Sequence, residues 1–173
     1  MHKTEKNGLV IDYDHTYELS KKAIDSLYHG HSFEYARDYY EKVVLMSNEV
    51  EYDVVGHFDL LTKFSEKHPE LIDIESKSYR NLALDALHAV RKNRELFEVN
   101  TGAIGRGQRT TPYPAPFILD EMKSVGCKLI LTSDCHNKDF LTVNFKEAKE
   151  YVKSHGFDTL YYLTKHGFVG EKI

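Results

Sequence analysis

Short apolar runs alternate with helical stripes along this chain, and that alternation constrains the fold more than any other feature. The segments 52–56 (Tyr-Asp-Val-Val-Gly), 96–99 (Leu-Phe-Glu-Val), 128–132 (Lys-Leu-Ile-Leu-Thr) and 159–163 (Thr-Leu-Tyr-Tyr-Leu) read as strands. Helical periodicity predicts helices over 17–28, about 33–50, 75–93, 116–125 and about 143–155. Ser32 is the expected N-cap of the second, with Ala36, Tyr40, Val43 and Val44 on one apolar stripe. Leu82, Ala83, Ala86, Leu87 and Val90 form the buried face of the third. Gly126 sits where a helix C-terminal cap is expected. Residues 100–116 are a Gly- and Pro-containing loop, and residues 1–16 read as polar and irregular. Such alternation implies βα units, a parallel sheet and an α/β fold.

A chain of 173 residues is long enough to bury a real core, and nothing in it reads as a linker, a repeat or a low-complexity tract. One domain over 1–173 is the expectation. A net charge of -4 argues against a broad nucleic-acid-binding surface, though not against a local anion pocket. Two cysteines, Cys127 and Cys135, suggest no disulfide framework and fit a reducing compartment. No segment approaches the ~18 apolar residues of a membrane span, and Leu9-Val10-Ile11 is too short for a signal-peptide core. The expected location is cytoplasmic, without membrane or nucleic-acid partners.

Polar residues gather where the strands end. Segment 52–56 runs into His57 and Asp59, 96–99 into Asn100 and Thr101, and 128–132 into Ser133, Asp134 and His136. In parallel α/β folds, function collects at the C-terminal edge of the strands. Asn100 and Ser133 could equally cap the helices that follow. An Asp-x-His pair is different, because a carboxylate and an imidazole two residues apart can share one pocket and ligate a divalent metal.

Four strings then resemble the histidinol-phosphatases of the polymerase-and-histidinol-phosphatase (PHP) superfamily. They are Val55-Gly56-His57-Phe58-Asp59-Leu60, Glu98-Val99-Asn100-Thr101-Gly102, Pro112-Tyr113-Pro114 and Ser133-Asp134-Cys135-His136. Phe145-Lys146-Glu147-Ala148 and Gly156-Phe157 add to them, so the likeness covers roughly residues 35–165. The resemblance implies a distorted (β/α)7 barrel with three divalent metal ions (Zn, Mn or Fe) at the strand ends. It implies hydrolysis of histidinol phosphate in histidine biosynthesis. It makes His57 a ligand of one metal, Asp134 of a second and His136 of a third, with Asp134 and His136 catalytic through their metals. His2, ahead of Asn7-Gly8, aligns with a further ligand.

The likeness also has a gap. The family's His-x-His strand end, the His ligands after it and the bridging Glu have no counterpart here. The expectation is therefore the C-terminal part of a PHP barrel with half a metal site. An exposed sheet edge would then offer a surface for self-association. The competing expectation is a non-catalytic PHP remnant or anion-binding module. His29-Gly30-His31 is the one His-x-His string, and it reads as a turn between helices. His15, His68, His88, His155 and His166 read as surface or packing residues. For phosphate, the candidate cations are Arg106 and Arg109 in a glycine-flanked loop, and Lys63. Arg grips phosphate through a two-pronged fork, and glycine lets backbone approach an anion closely.

Overall fold

The computed structural model describes residues 3–6, 8–12 and 14–173. The chain opens on an antiparallel hairpin, β1 (Lys3–Lys6) and β2 (Leu9–Asp12), where the sequence reading expected irregular chain. Helices α1 (Tyr17–Leu27), α2 (Ser32–Glu49) and α3 (Lys77–Arg91) follow. Then come β3 (Leu96–Asn100), a single turn α4 (Gly102–Gly105), α5 (Pro116–Ser124), β4 (Lys128–Thr132) and α6 (Phe145–Ser154). A hairpin of β5 (Thr159–Thr164) and β6 (Gly167–Lys172) completes the order.

The four-stranded sheet runs β3-β4-β5-β6, parallel across the first three strands and antiparallel at the last. The expected strand over 52–56 contributes only one bridge, Val55 beside Phe97. Its two hydrogen bonds run from Val55 N–H to Leu96 O and from Glu98 N–H to Val55 O, each at 2.9 Å. The architecture is thus α/β with a four-stranded sheet and flanking helices, compatible with a partial α/β fragment.

The helix boundaries follow from their caps. Thr16 Oγ1 accepts the Leu19 N–H and Ser76 Oγ accepts the Tyr79 N–H, which satisfies one first-turn donor in α1 and in α3. Ser32 does not cap α2. It is the first helical residue, and His31 holds the cap position with no side-chain bond. His29 and Gly30 have φ of 54° and 81°, so His29-Gly30-His31 is a turn between two helices, as its spacing suggests. Gly126 has φ of 72° just past α5, the left-handed conformation that glycine adopts at least cost.

Side chains from the strands and helices close one core. Phe97, Val99, Leu129 and Leu160 from the sheet pack with Leu87, Val90, Ile118, Leu119 and Met122. Each such side chain contributes about 1.5–3 kcal/mol when fully buried. A band of aromatics, Tyr35, Tyr40, Phe58 and Tyr79, seals the α2–α3 side. Its polar ends find partners inside: the Tyr40 and Tyr79 hydroxyls bond each other at 2.9 Å, and Tyr39 donates to the Phe58 carbonyl. Among the described residues, no helix is long and apolar enough to cross a membrane.

Candidate active site

Glu98 ties three chain segments together. Residues 96, 98 and 100 share one face of β3, because side chains alternate along a strand. Glu98 Oε2 accepts the His57 N–H at 2.6 Å and Asn100 Nδ2 at 3.0 Å. Its Oε1 accepts the Thr132 hydroxyl at 2.5 Å. One half-buried carboxylate thereby joins the end of segment 52–57, the end of β3 and the end of β4. Sequence reasoning missed it, although a lone charge inside the apolar run Leu96–Val99 was visible.

The residues at these ends are conformationally unusual. His57 has φ of 27° and Asp134 has φ of 43°, a region that side chains with a Cβ rarely occupy. Such backbone persists only where the surroundings hold it. The Glu98 carboxylate holds the His57 N–H, and Arg106 Nη1 donates to the Asp134 carbonyl at 3.1 Å. Gly102 lets the two ends meet: a Cβ there would lie 2.6 Å from the Ser133 carbonyl and 3.1 Å from the Arg106 guanidinium.

Above these ends lies a cavity of about 480 Å³. His57, Lys63, Arg106, Asp134 and His136, singled out from the sequence, all line it. Asp12, Asp14, His15 and Gln108 complete the wall. His15 is exposed, in keeping with the surface reading, and it also lines the cavity. The N-terminal hairpin brings Asp12, and the turn after it brings Asp14 and His15. No strand-end signal marked them, since residues 1–16 carry no long apolar run.

The charges in this wall are paired with one another. Arg106 Nη2 lies 3.5 Å from Asp134 Oδ2, and His136 Nε2 lies 3.6 Å from Asp134 Oδ1. Arg106 Nε also donates to Gln108 Oε1 at 3.4 Å. Lys63 Nζ donates to the Asp14 carbonyl at 2.7 Å and stands 3.5 Å from its carboxylate. Burial pushes the Lys63 pKa down, Asp14 pulls it up and Arg106 pushes it further down; the net effect is downward.

Arg109 has a different place. It is buried, and it does not line the cavity. Its Nη1 donates to Thr62 Oγ1 at 2.6 Å, its Nε to the Thr111 carbonyl at 3.3 Å, and Glu66 lies 3.6 Å away. The guanidinium covers the Tyr113 ring at 4.4 Å. Below it, Asp59 is fully buried, and its Oδ2 accepts the Ala115 N–H at 3.0 Å. Burial raises the Asp59 pKa, against the opposing pull of Arg109. The expectation that Arg109 contacts phosphate therefore meets a side chain already bound within the fold. Two capping alternatives also resolve: Asn100 Oδ1 accepts the Gly102 N–H at the start of α4, whereas Ser133 Oγ donates to the Leu141 carbonyl and caps no helix.

His57, Asp134, His136, Asp12, Asp14 and His15 are chemically suited to a divalent metal. Among the described residues, however, no three His, Cys, Asp or Glu side chains converge closely enough to hold one. Several donors are needed to offset the dehydration of an ion. The described residues thus offer a partial donor set. His2, the remaining expected ligand, lies outside the described residues.

No protein-family model matches the chain. It is 29% identical over 160 residues to a probable histidinol-phosphatase of Schizosaccharomyces pombe, covering 92% of this chain and 51% of that protein. It is 27% identical over 124 residues to a probable histidinol-phosphatase of Deinococcus radiodurans, covering 72% of this chain and 44% of that protein. The chain is thus a distant relative of proteins named probable histidinol-phosphatase, and it spans about half the length of the curated relatives it matches.

Proposed function

We propose that this chain supplies one wall of a metal-dependent phosphomonoesterase site of the histidinol-phosphatase type, within part of a PHP-like barrel. One observation carries the reading. A single cavity is lined by two cations suited to a phosphate, Lys63 and Arg106, and by imidazole and carboxylate groups suited to a metal: His57, Asp134 and His136. The relatives' names support histidinol phosphate as the substrate.

In this reading Arg106 forks onto the phosphate oxygens, and Lys63 adds a point charge beside them. Both steady charge on the equatorial oxygens as the ester bond breaks. Asp134, His136 and His57, which line the same cavity, would be donors to a divalent metal. A bound divalent ion (Zn, Mn or Fe) would supply a water that ionises near neutral pH. The remaining donors come from polypeptide outside the described residues.

The test is phosphate release from histidinol phosphate with Mn or Zn added. Residues 1–173 alone should show negligible release. Adding a polypeptide that comprises the part of the S. pombe relative outside the aligned residues should bring activity up. In that mixture Asp134→Ala and His136→Ala should each abolish it. Robust metal-dependent release by the unsupplemented chain would overturn the partial-site reading. A second reading, an anion-binding module without catalysis, draws on the absence of three converging donors among the described residues. Phosphate binding without activity in the supplemented mixture would select it.

A further inference from the structure

A smaller pocket of about 110 Å³ opens beside the main cavity, and Arg106 and His136 line both. Its chemistry differs from the cavity's. Phe140 and Val143 form an apolar side, and Ser133 and Cys135 add small groups next to β4. Phe140 is 37% exposed, so a large ring faces solvent beside a strongly polar cavity.

The pocket is built rather than left over. Gly105 of α4 makes room for its apolar side: a Cβ there would lie 3.0 Å from Val143 Cγ1 and 3.6 Å from the Phe140 ring. The turn carrying Phe140 is fixed at both ends. Asn137 Oδ1 accepts the Asp139 N–H at 3.1 Å, Phe140 N–H donates to the Asn137 carbonyl at 3.0 Å, and Ser133 Oγ holds the Leu141 carbonyl at 2.8 Å. A pocket held this way needs little reordering to receive a ligand.

We propose that this pocket seats the organic group of the phosphoester, and that it selects a short or flat group of about five or six heavy atoms. The proposal rests on the phosphoesterase reading and deepens it. An apolar cavity of about 150 Å³ accommodates benzene. A pocket of about 110 Å³, open on one side, accepts a single small ring or a short chain. It has no room for a nucleoside. Because Arg106 and His136 stand on the boundary, a phosphate among Arg106 and Lys63 puts its ester oxygen at the pocket mouth. The organic group then covers Phe140 and Val143.

The experiment titrates the ¹⁵N-labelled chain with inorganic phosphate, phenyl phosphate and adenosine monophosphate, following the Arg106 and Gly102 amides. Phenyl phosphate should bind about 3- to 10-fold tighter than inorganic phosphate, and adenosine monophosphate no tighter than inorganic phosphate. Phe140→Ala should erase the phenyl preference and leave inorganic phosphate unchanged. Val143→Phe, which fills the pocket, should do the same and stands in if Phe140→Ala does not fold. An unchanged phenyl preference in both variants would overturn the proposal, as would equal weakening of both anions. Binding of neither anion to the wild-type chain would instead overturn the phosphoesterase reading beneath it, and this proposal with it.

Discussion

Arg106 and Arg109 lie three residues apart in one loop, yet their side chains meet different surroundings. Arg109 is sunk into the protein, spread over Tyr113 and bonded to Thr62 and Thr111. Arg106 stands at the cavity rim, 29% exposed, and meets Asp134. The loop that carries both is pinned to the segment after His57. Glu66 accepts from the backbone and hydroxyl of both Thr110 and Thr111, and Lys67 Nζ donates to the Gly107 carbonyl. Two identical side chains thus divide the work. One locks the loop, and the locked loop presents the other. Charge alone does not tell a cavity-wall cation from an internal strut; burial and the partners around each do.

The largest effect on stability should come from the buried arginine. Arg109→Ala removes a cation whose charge favours the ionised form of the fully buried Asp59, and it leaves Thr62 and Glu66 short of a partner. Urea unfolding should show a loss of about 3 kcal/mol, the order expected when one partner of a buried charge network is deleted. A loss under about 1 kcal/mol would break the contrast between the two arginines.

Glu98→Ala comes next. It leaves the His57 N–H, Asn100 Nδ2 and the Thr132 hydroxyl without their acceptor. The expected cost is about 2 kcal/mol, since Glu98 is only half-buried and water can replace part of the bonding. The amide shifts of His57, Asn100 and Asp134 should move together. Movement at Asn100 alone would mean that the carboxylate does not couple the strand ends.

Glu66 gives the contrast a pH signature. Burial raises its pKa, but the Thr110 and Thr111 donors and Arg109 outweigh that and hold it below the ordinary 4.5. A carboxylate with a depressed folded-state pKa stabilises fully above its unfolded value. That contribution is lost as pH falls through the folded value. The melting midpoint of the wild type should therefore fall as pH drops from about 5 toward 3. Glu66→Gln should flatten this slope and cost about 1 kcal/mol at pH 7. An identical slope in the variant would remove Glu66 from the lock.

The smallest change in stability belongs to Arg106→Ala, under about 1 kcal/mol, because its ion pair with Asp134 is solvent-accessible. Its effect on phosphate should be large by comparison, about 10- to 100-fold weaker binding from losing a charge-assisted contact. A variant that binds phosphate normally would move the anion site elsewhere.

Much of this arrangement was legible in the sequence, for identifiable reasons. The runs Leu96–Val99 and Lys128–Thr132 are apolar and bounded, so β3 and β4 and their polar ends could be read directly. That put Asn100, Asp134 and His136 at one edge, and the apolar run ahead of His57 added a third segment end. The β1–β2 hairpin carried a signal too, an Asn-Gly pair between two four-residue strands, but weak apolar content hid it. β6 carried none: its sequence Gly-Phe-Val-Gly-Glu-Lys is mostly exposed and is held by six register pairs with β5. Gly170 there lies under Tyr161, where a Cβ would come within 3.2 Å of the ring. Asp12, Asp14 and His15 were missed as cavity residues because a hairpin fold-back, not a strand end, delivers them. The internal partners of Arg109, Thr62 and Glu66, could not be read because they lie more than forty residues away in sequence.

The central claim is that metal and phosphate chemistry belong to one cavity at these strand ends. Paramagnetic broadening by Mn²⁺ tests it most directly, with the ¹⁵N-labelled chain titrated below one equivalent. The account predicts that the amides of His57, Asp134, Cys135 and His136 broaden first, with weak binding and fewer than three ions bound at saturation. Early broadening around His29, Gly30 and His31, or broadening with no preference among residues, would contradict it.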